Sequence, residues 1–339
     1  AMALAITQAM WNLGRAGAER VVLDLCVEYK KRGHDVRILT ACGGGPLEEE
    51  CRREGIPYIC GPETQDRRQT FRFFVEALKR ERPDVFHTHL GADLWGGLAA
   101  QRLKLHPWII TAHNDDQDEP WLRHAFRGFM YRRADQLICV SGTVKRYVRQ
   151  EFRVPESSMA VIRNGINLEQ LQARGSHEFA DIPRLLCIGR LTKQKGQDIL
   201  LRALARLHRP WHLDLIGDGP DRLVLERLTE SLGIAPRVSF VGSVSNIPAR
   251  LAQADLVCVP SRWDGQNLAL LEAVGSGVPV LVQDLPVFHE SFDDSMIGYV
   301  PLSTPEAWTQ AIDGALQSSS LPLLRAYQAQ IQAERLFSR

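Results

Sequence analysis

The second half of the chain carries three short segments whose residue types and spacing could hold a phosphorylated ligand. Behind the apolar run LLCIG come Arg190, Lys193, Lys195 and Gly196, so a guanidinium and two ammonium groups share one loop. A guanidinium grips phosphate oxygens as a fork, and an ammonium acts as a mobile point charge. A helix expected from about Gln197 would add free backbone N–H groups at its start. A solvated basic loop is the competing reading of the same residues. Further on, Gly217-Asp218-Gly219-Pro220 reads as a tight turn in which glycine permits positive φ and Pro220 opens a helix. An ordinary strand-to-helix turn accounts for it equally well. The third segment runs PSRWDGQNLALLEA from Pro260 to Ala273 and is followed by Gly277-Val278-Pro279-Val280. A strand should end before it and a helix begin near Leu268. The intervening Asp264, Gly265, Gln266 and Asn267, with Leu268 itself, can then turn backbone N–H groups toward a phosphate and a sugar. Glu272 falls inside that helix among apolar neighbours, where a carboxylate needs partners. Two ribose hydroxyls would serve, and so would a core arginine.

The first half is less specific. Ala16-Gly17-Ala18-Glu19 lies between the first expected strand and the first expected helix. Glu19 is equally at home as a carboxylate in the first turn of a helix. His87, His89 and His113 stand at the carboxyl ends of strand-like runs, DVFHTH and WIITAH. No helix-spaced or cysteine-supported pattern accompanies them, which argues against zinc. Ser141 could cap a helix. The stretch from Glu119 to Arg133 mixes Trp121, Phe126, Phe129 and Tyr131 with four arginines and a histidine. It fits either a basic amphipathic segment on anionic lipid headgroups or a helix covering a sheet.

These residues require two frameworks to position them. At 339 residues the chain fits two domains. Runs rich in Val, Ile and Leu alternate with amphipathic stretches, the pattern of doubly wound parallel sheets. Strands are expected at 3–9, 35–40, 84–88, 107–111 and 136–140, with a helix from about Ala18 to Arg32 ended by Gly33. A second set is expected at 184–190, 212–218, 238–242, 255–261 and 278–282. The polar, glycine- and serine-bearing segment before Leu185 reads as a linker, so the expected division is 1–168, a linker at 169–183, and 184–339. In such sheets ligands bind outside the carboxyl ends of the strands, in this case in a cleft between two domains. A net charge of +1 gives no sign of nucleic acid as a partner. The seven cysteines are odd in number and scattered without a C-x-x-C pair, as expected of reduced core thiols in a cytoplasmic protein. No apolar stretch is long enough for a membrane helix.

The ordered set GR-x4-KG, GDGP, AD-x4-PS, an acidic residue followed eight positions later by Glu in an LLEA context, and G-x-PV resembles the retaining glycosyltransferases of the GT4 group. The resemblance spans nearly the whole chain. It implies the GT-B fold, two Rossmann-like domains facing a central cleft, with the acceptor on the first and a nucleoside-diphosphate sugar, UDP- or GDP-linked, on the second. By this likeness Arg190 and Lys195 hold the donor diphosphate, Glu272 the ribose, and His113 approaches the donor sugar's hydroxyls. Ala16, Gly17, Gly217 and the loop from Asp264 to Leu268 complete the donor site, with Asn164-Gly165 near the crossover and His89 a weaker candidate. Ala16 stands where similar chains have the first Gly of G-G-A-E, and Asp264 stands where they usually have Glu, shortening the carboxylate's reach by one methylene. The implied reaction transfers a glycosyl group with retention to a saccharide or lipid-linked acceptor. No metal or other cofactor is implied, and peripheral membrane contact would suit a lipid-linked acceptor. No well-placed carboxylate nucleophile is evident in the first half, which favours front-face substitution. An epimerase or hydrolase of the same fold, and a noncatalytic nucleotide-sugar-binding protein, remain open. By the same likeness a final helix is expected to follow AERLFSR, where this sequence stops, so a truncated or shortened tail is an open expectation.

Overall fold

The computed structural model describes residues 2–64, 66–115, 119–168, 171, 179–318 and 320–337. The chain divides into two compact units, Ala1–Arg163 and Asn164–Arg339. The first holds a parallel sheet of β1 (Ala5–Met10), β2 (Asp35–Thr40), β3 (Tyr58–Cys60), β4 (Val85–His89), β5 (Trp108–Ala112), β6 (Gln136–Cys139) and β7 (Met159–Val161). Its spatial order is β3-β2-β1-β4-β5-β6-β7, so the winding reverses between β1 and β4. The second holds β8 (Arg184–Ile188), β9 (His212–Ile216), β10 (Val238–Gly242), β11 (Leu256–Val259), β12 (Val280–Gln283) and β13 (Gly298–Val300). These are ordered β10-β9-β8-β11-β12-β13, and the winding reverses between β8 and β11. The ten strands expected from the sequence all form. The three that were not expected, β3, β7 and β13, are three-residue strands at sheet edges, too short to show a periodic signal. Of the segment expected to link the domains, 169–170 and 172–178 lie outside the described residues. The unit boundary falls earlier, at Arg163/Asn164.

Each core fills the space between sheet and helices. In the first unit Phe74, Phe86, Trp108 and Met130 are at most 1% exposed. A Cβ added at Gly97, in the helix Ala92–Leu103, would lie 2.5 Å from the Trp108 ring, so glycine there sets the helix-to-sheet spacing. Trp211 and Trp308 anchor the second unit, and the Trp308 indole N–H donates to Gln283 Oε1 at 3.2 Å. The helix Gly17–Lys31 ends at Arg32 with Gly33 at φ +86, the left-handed conformation a glycine tolerates best. Among the described residues no helix is long and apolar enough to cross a membrane.

One device recurs at the amino ends of the strands. An aspartate just before a strand donates its N–H to the carbonyl of the first residue of the neighbouring strand, and its carboxylate accepts that same residue's N–H. Asp84 does this to Ala5 (2.8 and 2.8 Å), Asp135 to Trp108 (2.9 and 2.7 Å), and Asp255 to Arg184 (2.8 and 2.9 Å). Asp84 and Asp255 bridge β1 to β4 and β8 to β11, the two places where the winding reverses. Each crevice is thereby closed at its lower end, and its open mouth lies at the carboxyl ends, where the candidate residues are.

Candidate functional site

In the second unit the loops after β8 and β11 are joined by side chains from both. Arg262 forks onto Asp198 through two 2.8 Å bonds and donates to the Lys193 carbonyl at 2.7 Å. Burial works against the Asp198 carboxylate, but the hydrogen-bonded guanidinium outweighs it and holds its pKa below the ordinary value. Gln194 donates to the Trp263 carbonyl at 3.1 Å and accepts at its own carbonyl from Arg262 N at 2.8 Å. Buried Gln197 donates to the Arg190 carbonyl at 3.0 Å. Gly196 sits at φ +67, and a Cβ there would lie 2.0 Å from the Pro260 oxygen. Gly217, at φ +133, approaches the Gly189 oxygen as closely, its would-be Cβ at 2.1 Å. Both glycines allow backbone to pack on backbone.

This frame leaves Arg190 exposed, with no ion pair to a described residue, two positions past the end of β8. Lys195 Nζ lies 2.7 Å from Asp264 Oδ2. Asp264 is 7% exposed and also accepts from Asn267 Nδ2 at 2.8 Å and Gly265 N at 3.0 Å. Three donors are what makes a charged carboxylate tolerable at that depth. Asn267 in turn caps the helix Leu268–Gly275, its Oδ1 accepting from Leu270 N at 3.0 Å. The helix Gln197–Leu204 starts at left-handed Gly196, which has no side chain to cap it, and the Asp198 carboxylate in its first turn accepts from the backbone N–H groups of Asp198 and Ile199. Gln266 clasps the backbone of Asn164, accepting its N–H at 2.6 Å and donating to its carbonyl at 3.4 Å. Glu272, the fifth residue of its helix, is half-buried between buried Leu271 and Ala273.

The resemblance places Asp264 by the transferred sugar; here both its oxygens are engaged by the loop itself. Lys195, expected to hold phosphate, is paired with it. Gln266 was expected to line the donor, and its amide bonds to the Asn164 backbone. Nothing local in the sequence announced these links, because the partners are 69 and 102 residues apart.

In the first unit Ala16 and Gly17 are exposed at the start of the helix Gly17–Lys31, again without a side-chain cap. Ser141 Oγ accepts from Val144 N at 3.1 Å, so the capping reading explains it. His87, His89 and His113 gather on one face of the sheet. His87 Nε2 lies 2.7 Å from Thr111 Oγ1, His89 Nδ1 lies 3.0 Å from His113 Nε2, and His89 Nε2 lies 2.7 Å from Gln8 Oε1. Burial lowers the pKa of His87 to about 3 and of His113 to about 4, and takes His89 well below its usual value. All three rings are therefore neutral near pH 7. Gln8, in the middle of AITQAM, was missed, although an amide side chain inside a mostly apolar strand is a readable signal. Among the described residues no group of three or more His, Cys, Asp or Glu is arranged to hold a metal ion. The seven cysteines are free thiols, and burial pushes Cys139 and Cys187 up to about 12.

The stretch from Glu119 to Arg133 forms the helix Trp121–Tyr131 and its flanks. Its arginines divide: Arg127 is buried against Glu119 at 2.7 Å, while the Arg133 guanidinium lies 3.6 Å over the Phe129 ring. Trp121 is 75% exposed, and Leu122 and Phe129 are exposed beside it.

Residues 15–170 match the family profile described as Glycosyltransferase Family 4, and residues 182–318 that described as Glycosyl transferases group 1. An uncharacterised glycosyltransferase of Methanocaldococcus jannaschii is 26% identical over 319 residues, spanning 84% of this chain and 81% of its own. The lipopolysaccharide core biosynthesis mannosyltransferase LpsB of Rhizobium meliloti is 33% identical over 65% of each chain. Among solved structures, Anabaena HepE in complex with UDP and glucose superposes with a TM-score of 0.88 over 99% of this chain and 96% of its own, at 19% identity.

Proposed function

Because this chain belongs to the Glycosyltransferase Family 4 enzymes and has the GT-B fold, we propose that it moves a sugar from a nucleoside diphosphate, UDP- or GDP-linked, to an acceptor hydroxyl with retention of configuration. The observation that carries this reading is the placing of the exposed Arg190 and the Lys195 ammonium on one loop at the mouth of the β8–β11 crevice, before the helix Gln197–Leu204. A leaving diphosphate gains negative charge as the glycosidic bond breaks, and such groups stabilise charge where it develops. Lys195 has three N–H donors, so its bond to Asp264 leaves others for phosphate oxygens. Glu272 is assigned to the ribose, and His113 to a hydroxyl of the transferred sugar. The acceptor oxygen attacks the anomeric carbon on the face the diphosphate leaves, and the departing phosphate takes the acceptor's proton. That route needs no carboxylate nucleophile. We assign the donor-binding role to the second unit and acceptor recognition to the first. A solved structure holding UDP and glucose on a similar fold supports the class of donor.

The reading extends to a saccharide or lipid-linked acceptor of cell-surface polysaccharide, lipopolysaccharide or glycolipid synthesis, in keeping with the name of the Rhizobium relative. Exposed Trp121, Leu122 and Phe129 beside Arg123, Arg132 and Arg133 suit peripheral contact with an anionic bilayer. Co-sedimentation with phosphatidylglycerol vesicles should be lost on Trp121→Ala and at high salt; equal sedimentation of both proteins would remove the membrane part. The central test incubates the protein with UDP-, GDP- and ADP-sugars and candidate acceptors. Glycosylated product and free nucleotide are expected, and free sugar alone would point to hydrolysis. Arg190→Ala and Glu272→Ala should each weaken nucleotide binding roughly 10- to 100-fold, the loss of one charged hydrogen-bonding partner. Near-normal affinity in both would sink the site assignment.

A further inference from the structure

The assignment of His113 to a sugar hydroxyl leaves open why two polar side chains, Gln8 and His89, lie behind it with no exposure at all. Strand register explains how they meet. Gln8 pairs with His87 across β1 and β4, and His89 pairs with Thr111 across β4 and β5. Alternation then places Gln8, His87, His89, Thr111 and His113 on one face of the sheet. The rings are neutral, and a neutral imidazole has one N–H and one lone pair. The Gln8 carbonyl oxygen can only accept, so His89 Nε2, 2.7 Å away, carries a hydrogen, and His89 Nδ1 is left as an acceptor. His113 Nε2, 3.0 Å from that acceptor, must donate to it. The hydrogen of His113 is thereby committed to Nε2, and its Nδ1 keeps a lone pair. Turning the Gln8 amide over would reverse every bond of the chain, so its orientation sets the direction. The arrangement is costly: among the described residues Gln8 Nε2 is buried with no hydrogen-bond partner, a penalty that a methionine of similar size would avoid.

We propose that Gln8 and His89 are positioning residues that hold His113 as its Nε2–H tautomer, so that His113 Nδ1 accepts the hydrogen of a hydroxyl on the transferred sugar. The sugar-contact half rests on the reading of His113 given above; the tautomer half does not. The test labels the histidines of the full chain with nitrogen-15 and records long-range proton–nitrogen spectra near pH 7.5, with His113 and His89 identified by the signals lost in His113→Gln and His89→Gln. Both should carry their proton on Nε2. In Gln8→Met, His113 should become a mixture of tautomers, kcat should fall about tenfold, equivalent to about 1.4 kcal/mol of barrier, and affinity for UDP or GDP alone should stay the same. A His113 proton on Nδ1 in the unaltered protein overturns the proposal, and that spectrum decides even if Gln8→Met does not fold. An unchanged His113 tautomer in Gln8→Met overturns it as well. Should the expected tautomers appear while His113→Gln transfers sugar at the normal rate, the sugar contact is overturned and the tautomer assignment stands.

Discussion

At the scale of single residues, Asp264 gives the sharpest expectation. Its carboxylate gathers Lys195, Asn267 and the Gly265 amide, and so sets both the ammonium and the cap of the next helix. Asp264→Asn keeps the shape but removes the charge that Lys195 faces. Because Lys195 is 20% exposed, the loss should lie below that of a fully buried pair, at about 1–3 kcal/mol of stability. Nucleotide affinity should fall with it. Thermal melting and a nucleotide titration on the same variant check this; unchanged values in both would mean that Lys195 does not depend on Asp264. The sequence made Arg190, Lys195, Asp264 and Glu272 visible because each lies at a fixed offset from a strand end. It could not reveal that two of them bond to each other, since that depends on which strands lie side by side.

At the scale of elements, the strand ends and helix starts were legible and their contacts were not. Strands of four or more residues left a readable apolar run, and the three-residue edge strands did not. The helix expected from Gln197 begins there, as does the one expected near Leu268. What the sequence concealed was the seam between the β8 and β11 loops, built from Arg262, Asp198 and Gln194 across 64 to 69 residues. Gly196 is the position where that seam tolerates least. Gly196→Ala adds a Cβ against the Pro260 oxygen and a side chain at φ +67, which together should cost roughly 2 kcal/mol or more. Denaturant unfolding measures it, and a loss under about 0.5 kcal/mol, the range of an ordinary surface substitution, would show that the loops separate freely.

At the scale of the whole molecule, the two units should answer acid differently. His87, His89 and His113 all belong to the first unit and all have lowered pKa values in the fold. The unfolded chain binds protons near pH 6.5, before the folded one does. The stability these rings contribute is therefore fully present above about pH 6.5 and is lost as pH falls, down to about 4 for His113 and about 3 for His87, at up to about 1.4 kcal/mol per pH unit for each ring. Calorimetry between pH 7 and pH 5 should lower the first unit's transition and move the second's much less; equal shifts would contradict the assignment. The aspartates at the lower ends of the sheets make a different experiment possible. The amides of Ala5 and Arg184 find their acceptors on side chains 79 and 71 residues away, while Trp108 finds its own only 27 residues on. None can be shielded from exchange by local structure, so in a refolding chain pulsed with heavy water each amide marks the moment its two strands meet. Ala5 and Arg184 together would time the assembly of the two halves independently, and Trp108 would tell whether the shorter loop closes first.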